Sequence, residues 1–243
     1  MNKKIYLILL CSLFFTTVFA QDKPDASAKP EHKNILKINL SSIVLTNIYL
    51  QDEFTLNSHS SIALGISYLP TRSLPSAITD NTPEIKDLEF TAFSITPEYR
   101  YYFTGKSPKG FYIAPYFRYS SFTTNAFRYI ITKDDGEKDT IMFNGASYKL
   151  NAVGLMFGKQ WKLSNHFALD LWIVGVGYGS GTLEASGTGH FSQSDQDSFN
   201  QSVADISLPL GDLKASMTST TASIKYTTTL STRGGGFCLG YIF

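Results

Sequence analysis

Residues 234–243, Gly-Gly-Gly-Phe-Cys-Leu-Gly-Tyr-Ile-Phe, close the chain and decide how the rest of it reads. Phe237, Leu239, Tyr241 and Phe243 alternate with Gly236, Cys238, Gly240 and Ile242, the period of two that marks a β-strand. The larger apolar side chains share one face and mostly small ones the other. A strand of a soluble sandwich wets one face with polar groups. This one has almost nothing polar on either face and stops at an aromatic residue.

The other end of the chain carries an export signal. Lys3 and Lys4 precede an apolar run over 5–15, and Val18-Phe19-Ala20 supplies a small-x-small cleavage site, so residues 1–20 read as a signal peptide. Cys11 lies inside the run after Leu10, which argues against a lipid anchor. Cleavage removes Lys3 and Lys4 and leaves 19 basic against 20 acidic residues, so no nucleic-acid partner is expected. Only Cys238 survives processing, which excludes an intramolecular disulfide. Residues 21–34, polar with two prolines, read as a flexible periplasmic leader, and 35–243 as one domain.

That domain divides into eight alternating segments. The first sets Leu36, Ile38, Leu40 and Val44 against Lys37, Asn39 and Ser41; the second sets Ile48, Leu50, Phe54 and Leu56 against Tyr49, Gln51, Glu53 and Thr55. The third to sixth run over 62–68, 93–103, 111–120 and 152–161. The seventh sets Phe167, Leu169, Leu171 and Ile173 against Ala168, Asp170, Trp172, Val174 and Tyr178, and the eighth is the terminal strand. Asp52 falls on an apolar face, which a β-bulge or a later strand start would repair. Connections after the second, fourth and sixth segments are short, whereas those after the third, fifth and seventh (70–88, 123–147, 179–231) are long. In an antiparallel meander this sorting puts all the long loops on one rim and both termini on the other, the plan of an outer-membrane barrel.

Charges follow the same division. Lys37, Glu53, Glu98, Arg100, Arg118 and Asp170 all fall on the inner face and are expected to form an interior charge network. Arg233, on the Phe237 face by simple alternation, is expected near the outer interface, and Lys159 near the lower rim. Tyr101, Phe103, Phe111, Trp161, Phe167, Tyr241 and Phe243 gather at that rim as an aromatic girdle. A lipocalin-like soluble barrel would need the reverse, with an apolar cavity and a polar exterior.

Several motifs carry a resemblance: Leu36-Lys37-Ile38-Asn39, Glu53-Phe54-Thr55-Leu56 with Ser61-Ile62, Pro97-Glu98-Tyr99-Arg100-Tyr101-Tyr102-Phe103, Gly110-Phe111-Tyr112-Ile113-Ala114-Pro115-Tyr116, and Leu169-Asp170. In this order, over 35–178 and the final strand, the chain resembles small eight-stranded outer-membrane barrels of the OmpA/OmpX type and uncharacterised barrel families of Gram-negative bacteria. The resemblance implies an all-β, eight-stranded antiparallel up-and-down transmembrane β-barrel in the cell outer membrane, contacting outer-membrane lipid. It further implies that Phe237, Leu239, Tyr241 and Phe243 are an assembly signal read by the barrel-assembly machinery.

Function is less sharply marked. No catalytic, cofactor or metal site is expected, and the chain reads as a non-enzyme with a structural or surface-interaction role through its outer loops, which could meet an extracellular ligand or protein. The alternatives are a narrow channel through the charged interior and an enzyme at the loop rim. His190 is the one rim histidine, with Asp195 and Asp197 nearby, in a Ser/Gly/Gln-rich stretch that reads as flexible and orients nothing. Gly179-Ser180-Gly181 and the 234–236 glycines are not phosphate loops, because no helix pattern follows. Residues 127–132 and 140–143, around an Asp-Gly turn, read as a hairpin above the wall.

Overall fold

The computed structural model describes residues 34–73, 88–132, 138–204 and 211–243. The expected signal peptide, the leader up to residue 33 and the Asp-Gly tip at 133–137 lie outside them.

Period-two alternation yields strands throughout: β1 (Asn34–Asn39), β2 (Ile48–Thr55), β3 (Ser60–Ser73), β4 (Glu89–Tyr102), β5 (Gly110–Thr124), β6 (Phe127–Thr132), β7 (Lys138–Lys162), β8 (Phe167–Thr188), β9 (Gly211–Met217), β10 (Thr221–Arg233) and β11 (Gly236–Ile242). Two helices, α1 (Leu40–Val44) and α2 (Gln193–Ala204), interrupt them. Strands β1, β2, β3, β4, β5, β7, β8 and β11 form a closed ring, each antiparallel to the next and β11 to β1. From Ile38, the pairs Leu50, Ile66, Ile95, Tyr119 and Asn151 lead to Ser180 on β8. The opposite route, through Leu239, reaches the same strand at Leu169. That stagger is the shear of a barrel whose strands are tilted to its axis. The ring ends where the chain does: Asn34 N–H donates to the Phe243 carbonyl at 3.1 Å, and Phe243 N–H donates back at 3.0 Å.

Four local expectations are corrected. The first strand stops at Asn39 and residues 40–44 turn helical, because the Asn39 side chain accepts the Ser42 N–H at 3.0 Å and caps α1. No bulge repairs Asp52: β2 stays in unbroken register, Asp52 pairs with Leu36 and Leu64, and its side chain points outward. A bulge does occur in β8, between the pairs Phe157–Val174 and Gly158–Trp172, so Val174 and Tyr178 face outward instead of inward. Finally, the connection 179–231, expected as one long outer loop with a flexible stretch around His190, carries the end of β8, α2, β9 and β10.

That last segment builds a second body on the barrel. β6 pairs with β7 as expected, Phe127 opposite Phe143 and Thr132 opposite Lys138. β8 and β7 continue together to Thr188, and β10 and β9 extend the sheet. Ile141, Phe143, Phe191, Met217 and Ala222 form a core of their own, against which Phe127 and Phe199 of α2 pack. The Asn200 side chain accepts the Met217 N–H at 3.2 Å and ties α2 to β9.

Candidate functional site: the lumen of the barrel

Alternation along closed strands forces every second side chain into the lumen. Lys37 from β1, Glu53 from β2, Glu98 and Arg100 from β4 and Asp170 from β8 meet there, all buried. Lys37 Nζ donates to Glu53, to Asp170 Oδ2 at 2.8 Å and to Gln160 Oε1 at 2.5 Å. Arg100 is the hub. Its Nε and Nη2 donate to Glu98 Oε2 at 3.0 and 2.9 Å, and its Nη1 donates to Asp170 Oδ2 at 2.7 Å and Glu53 Oε2 at 3.1 Å. Its Nη2 also reaches Gln51 Oε1 at 2.8 Å. Tyrosines complete the carboxylates: Tyr102 donates to Glu53 at 2.6 Å and Tyr112 to Asp170 at 2.8 Å. A buried charge is tolerable only when paired and hydrogen-bonded in this way.

Of the six charged residues expected inside, five join this network and Arg118 does not. Arg118 Nε and Nη2 donate to Ser120 Oγ at 3.1 Å and Ser94 Oγ at 3.2 Å, and it makes no ion pair among the described residues. The third paired cation of the lumen is Arg233, which alternation had sent outward. Gly234 and Gly235 are exposed in succession, so the phase of the strand slips by one and Arg233 turns in. It donates to Glu98 and, at 3.0 Å, to Tyr49 Oη, with its guanidinium 4.0 Å from the Trp172 ring centroid. The run of three glycines was the signal for that slip.

Tight packing fills the remaining space. Tyr49, Tyr102, Tyr112, Tyr116, Met156 and Trp172 pack with Cys238 into one cluster. The glycines opposite the tyrosines are spacers. A Cβ on Gly158 would lie 2.4 Å from Tyr112 Oη, and one on Gly154 2.5 Å from Tyr116 Cζ. Below the charges, Ile35, Ala168 and Ile242 form an apolar floor.

Phe237, Leu239, Tyr241 and Phe243, the residues expected to serve as an assembly signal, are on the outer surface, three of them at 40–62% exposure. His166 stacks on Tyr241, and Lys159 lies over the Phe111 and Trp161 rings at 4.5 and 5.0 Å. At the far rim, Asp195 accepts the Ser192 N–H at 2.9 Å at the start of α2, and Asp197 accepts from Gln193. No group of three or more metal-ligating side chains occurs among the described residues.

The family described as "Protein of unknown function (DUF3575)" matches residues 5–201. The chain belongs to that family. The match takes in the DUF3575 wall from β1 to β8, whereas β11, which closes the ring, lies beyond it. No curated protein matches the chain. Among solved structures, the chain is similar to the outer-membrane protease OmpT from Escherichia coli at 10% identity and a TM-score of 0.34, over 90% of this chain and 99% of that one. The barrel fold of this DUF3575 protein stands on its own hydrogen-bonded ring.

Proposed function

We propose that this protein is an integral outer-membrane barrel whose lumen is closed and whose strand extension, beyond the bilayer, is a surface-interaction module. One observation carries the reading: the molecule is inside out. Arg100, Lys37 and Glu53 are 0–1% exposed, while Leu36, Ile62, Leu64, Leu155 and Val153 on the outer wall are 45–60% exposed. Folded soluble proteins rarely leave a continuous apolar band exposed or bury unneeded charge. Hydrocarbon makes both favourable, since a closed barrel leaves no backbone group unpaired in lipid. The described residues contain no helix long and apolar enough to cross a membrane.

The paired, tyrosine-packed interior favours an anchor over the channel alternative. An architecture of the OmpA/OmpX kind accords with both features. The test is direct. The mature protein should partition with outer-membrane fragments, need detergent for extraction, and migrate differently in SDS gels before and after boiling. In planar bilayers it should give no steady conductance. Release as a soluble monomer by osmotic shock would overturn the reading.

A further inference from the structure

The outer wall changes chemistry along each tall strand. On β8 the outward residues run Val174, Val176, Tyr178, and then Ser180, Thr182, Glu184 and Ser186. On β5 Phe117 and Tyr119 give way to Ser121 and Thr123, and on β7 Val153 gives way to Asn151, Lys149 and Ser147. Tyr119 pairs with Asn151 and Tyr178 with Val153, so the two tyrosines mark one level around the wall. On the membrane-spanning reading proposed above, which this inference rests on, that level is the outer interface, and the polar face above it lies beside the lipid headgroups.

Two rows of this face are built from five strands in register. Thr123, Ser147, Glu184, Lys225 and Lys214 stand side by side across β5, β7, β8, β10 and β9. One row nearer the tyrosines, Ser121, Lys149, Thr182, Thr227 and Asp212 do the same. Thr123, Ser147, Glu184, Ser186, Ser223 and Lys225 line a hollow of 610 Å³. Lys225 is salted to Glu184 at 2.8 Å with both side chains more than half exposed. That hydrogen bond, with the Lys149 charge adding to it, holds the Glu184 carboxyl below its usual range. Lys214 is directly opposite Lys225, and neither Lys214 nor Lys149 makes an ion pair among the described residues. Like charges directly across a strand pair oppose folding. Their presence on a face otherwise rich in hydroxyls is explained by an anionic occupant.

The donor set names its chemistry. Exposed ammonium groups suit phosphate, while the Glu184 and Asp212 carboxylates and the Ser and Thr hydroxyls suit the vicinal hydroxyls of a sugar. We propose that Lys149, Lys214 and Lys225, around the hydroxyl-lined hollow, bind the phosphorylated saccharide headgroup of an outer-leaflet glycolipid.

The experiment uses the full mature protein in detergent, with purified lipopolysaccharide as probe and native mass spectrometry as readout. The parent should retain phosphorylated lipopolysaccharide at least tenfold more than its dephosphorylated form. The combined Lys149→Ala, Lys214→Ala and Lys225→Ala variant should lose at least tenfold of that retention, and the corresponding triple Lys→Arg variant should keep it. All three sites are exposed, and the boiling-dependent gel shift checks that each variant is folded. Equal retention by parent and triple Ala variant overturns the proposal. So does equally effective competition by phosphatidylglycerol or by inorganic phosphate, which would show that charge alone is read. A protein that never enters the membrane defeats the spanning reading; one that spans but ignores lipopolysaccharide defeats this site alone.

Discussion

Arg233 and Glu98, 135 residues apart in sequence, meet in the lumen, the guanidinium donating to Glu98 Oε1 while Arg100 occupies Oε2. This contact fixes the charge balance of the interior. Lys37, Arg100 and Arg233 share the three carboxylates Glu53, Glu98 and Asp170, and Arg118 is left with serine hydroxyls. Position within the network, more than burial, therefore sets what each arginine contributes.

Arg100→Ala would strip a shared cation from Glu53, Glu98 and Asp170 at once. Breaking a buried pair on one side costs about 3–5 kcal/mol. Arg118→Ala removes only hydrogen bonds to Ser94 and Ser120 and should cost about 1 kcal/mol. Urea unfolding in lipid vesicles, followed by tryptophan fluorescence, measures both. Equal costs would contradict the network described.

Asp52 tests the solvent of the outer wall. It stands between Leu36 and Leu64 with its carboxylate outward. In hydrocarbon near an interface an ionised group costs up to about 1 kcal/mol. Asp52→Leu should raise vesicle stability by about that amount. A neutral or destabilising outcome in the same unfolding experiment would count against lipid on this face.

Two glycines separate packing from backbone freedom. Gly158→Ala sets a Cβ 2.8 Å from the Leu171 carbonyl as well as against the Tyr112 ring, and overpacking of this kind costs about 1–3 kcal/mol. Gly234→Ala meets nothing within 4 Å and should be neutral or slightly stabilising. Thermal loss of the compact gel form ranks the two variants.

Cys238 reports on lumen closure. Its thiol is fully buried beside Trp172 and Tyr49. A polar maleimide should label it in urea and leave it unlabelled in the folded barrel over the same time. Comparable labelling in both states would reveal a water-filled lumen.

Deleting Phe243 distinguishes signal from scaffold. The residue contributes two backbone bonds to Asn34 and an exposed ring. If the terminal pattern is an assembly signal, the deletion should sharply lower the amount inserted in cells. Refolding into thin vesicles should still yield barrel. Equal loss in both settings would assign Phe243 a structural role only.

The period-two alternation, legible residue by residue, determined the eight walls, the inward placement of Lys37, Glu53, Glu98, Arg100 and Asp170, and the division into short and long rims. These follow from sequence because in a closed barrel each strand has only two faces, and one wrong face costs a buried or lipid-exposed charge. What alternation could not supply is any point where its phase slips. The bulge in β8 and the Gly234–Gly235 step each insert one residue, which reverses every assignment beyond it, and so Val174, Tyr178 and Arg233 changed sides. The helical end of the first strand was likewise decided by a cap at Asn39 competing with the ladder. The extension was hidden for a different reason. Its core joins Phe127, Phe143, Phe191, Phe199 and Met217 from segments that are each too polar or too short to show a buried face alone, and only their pairing in three dimensions encloses it.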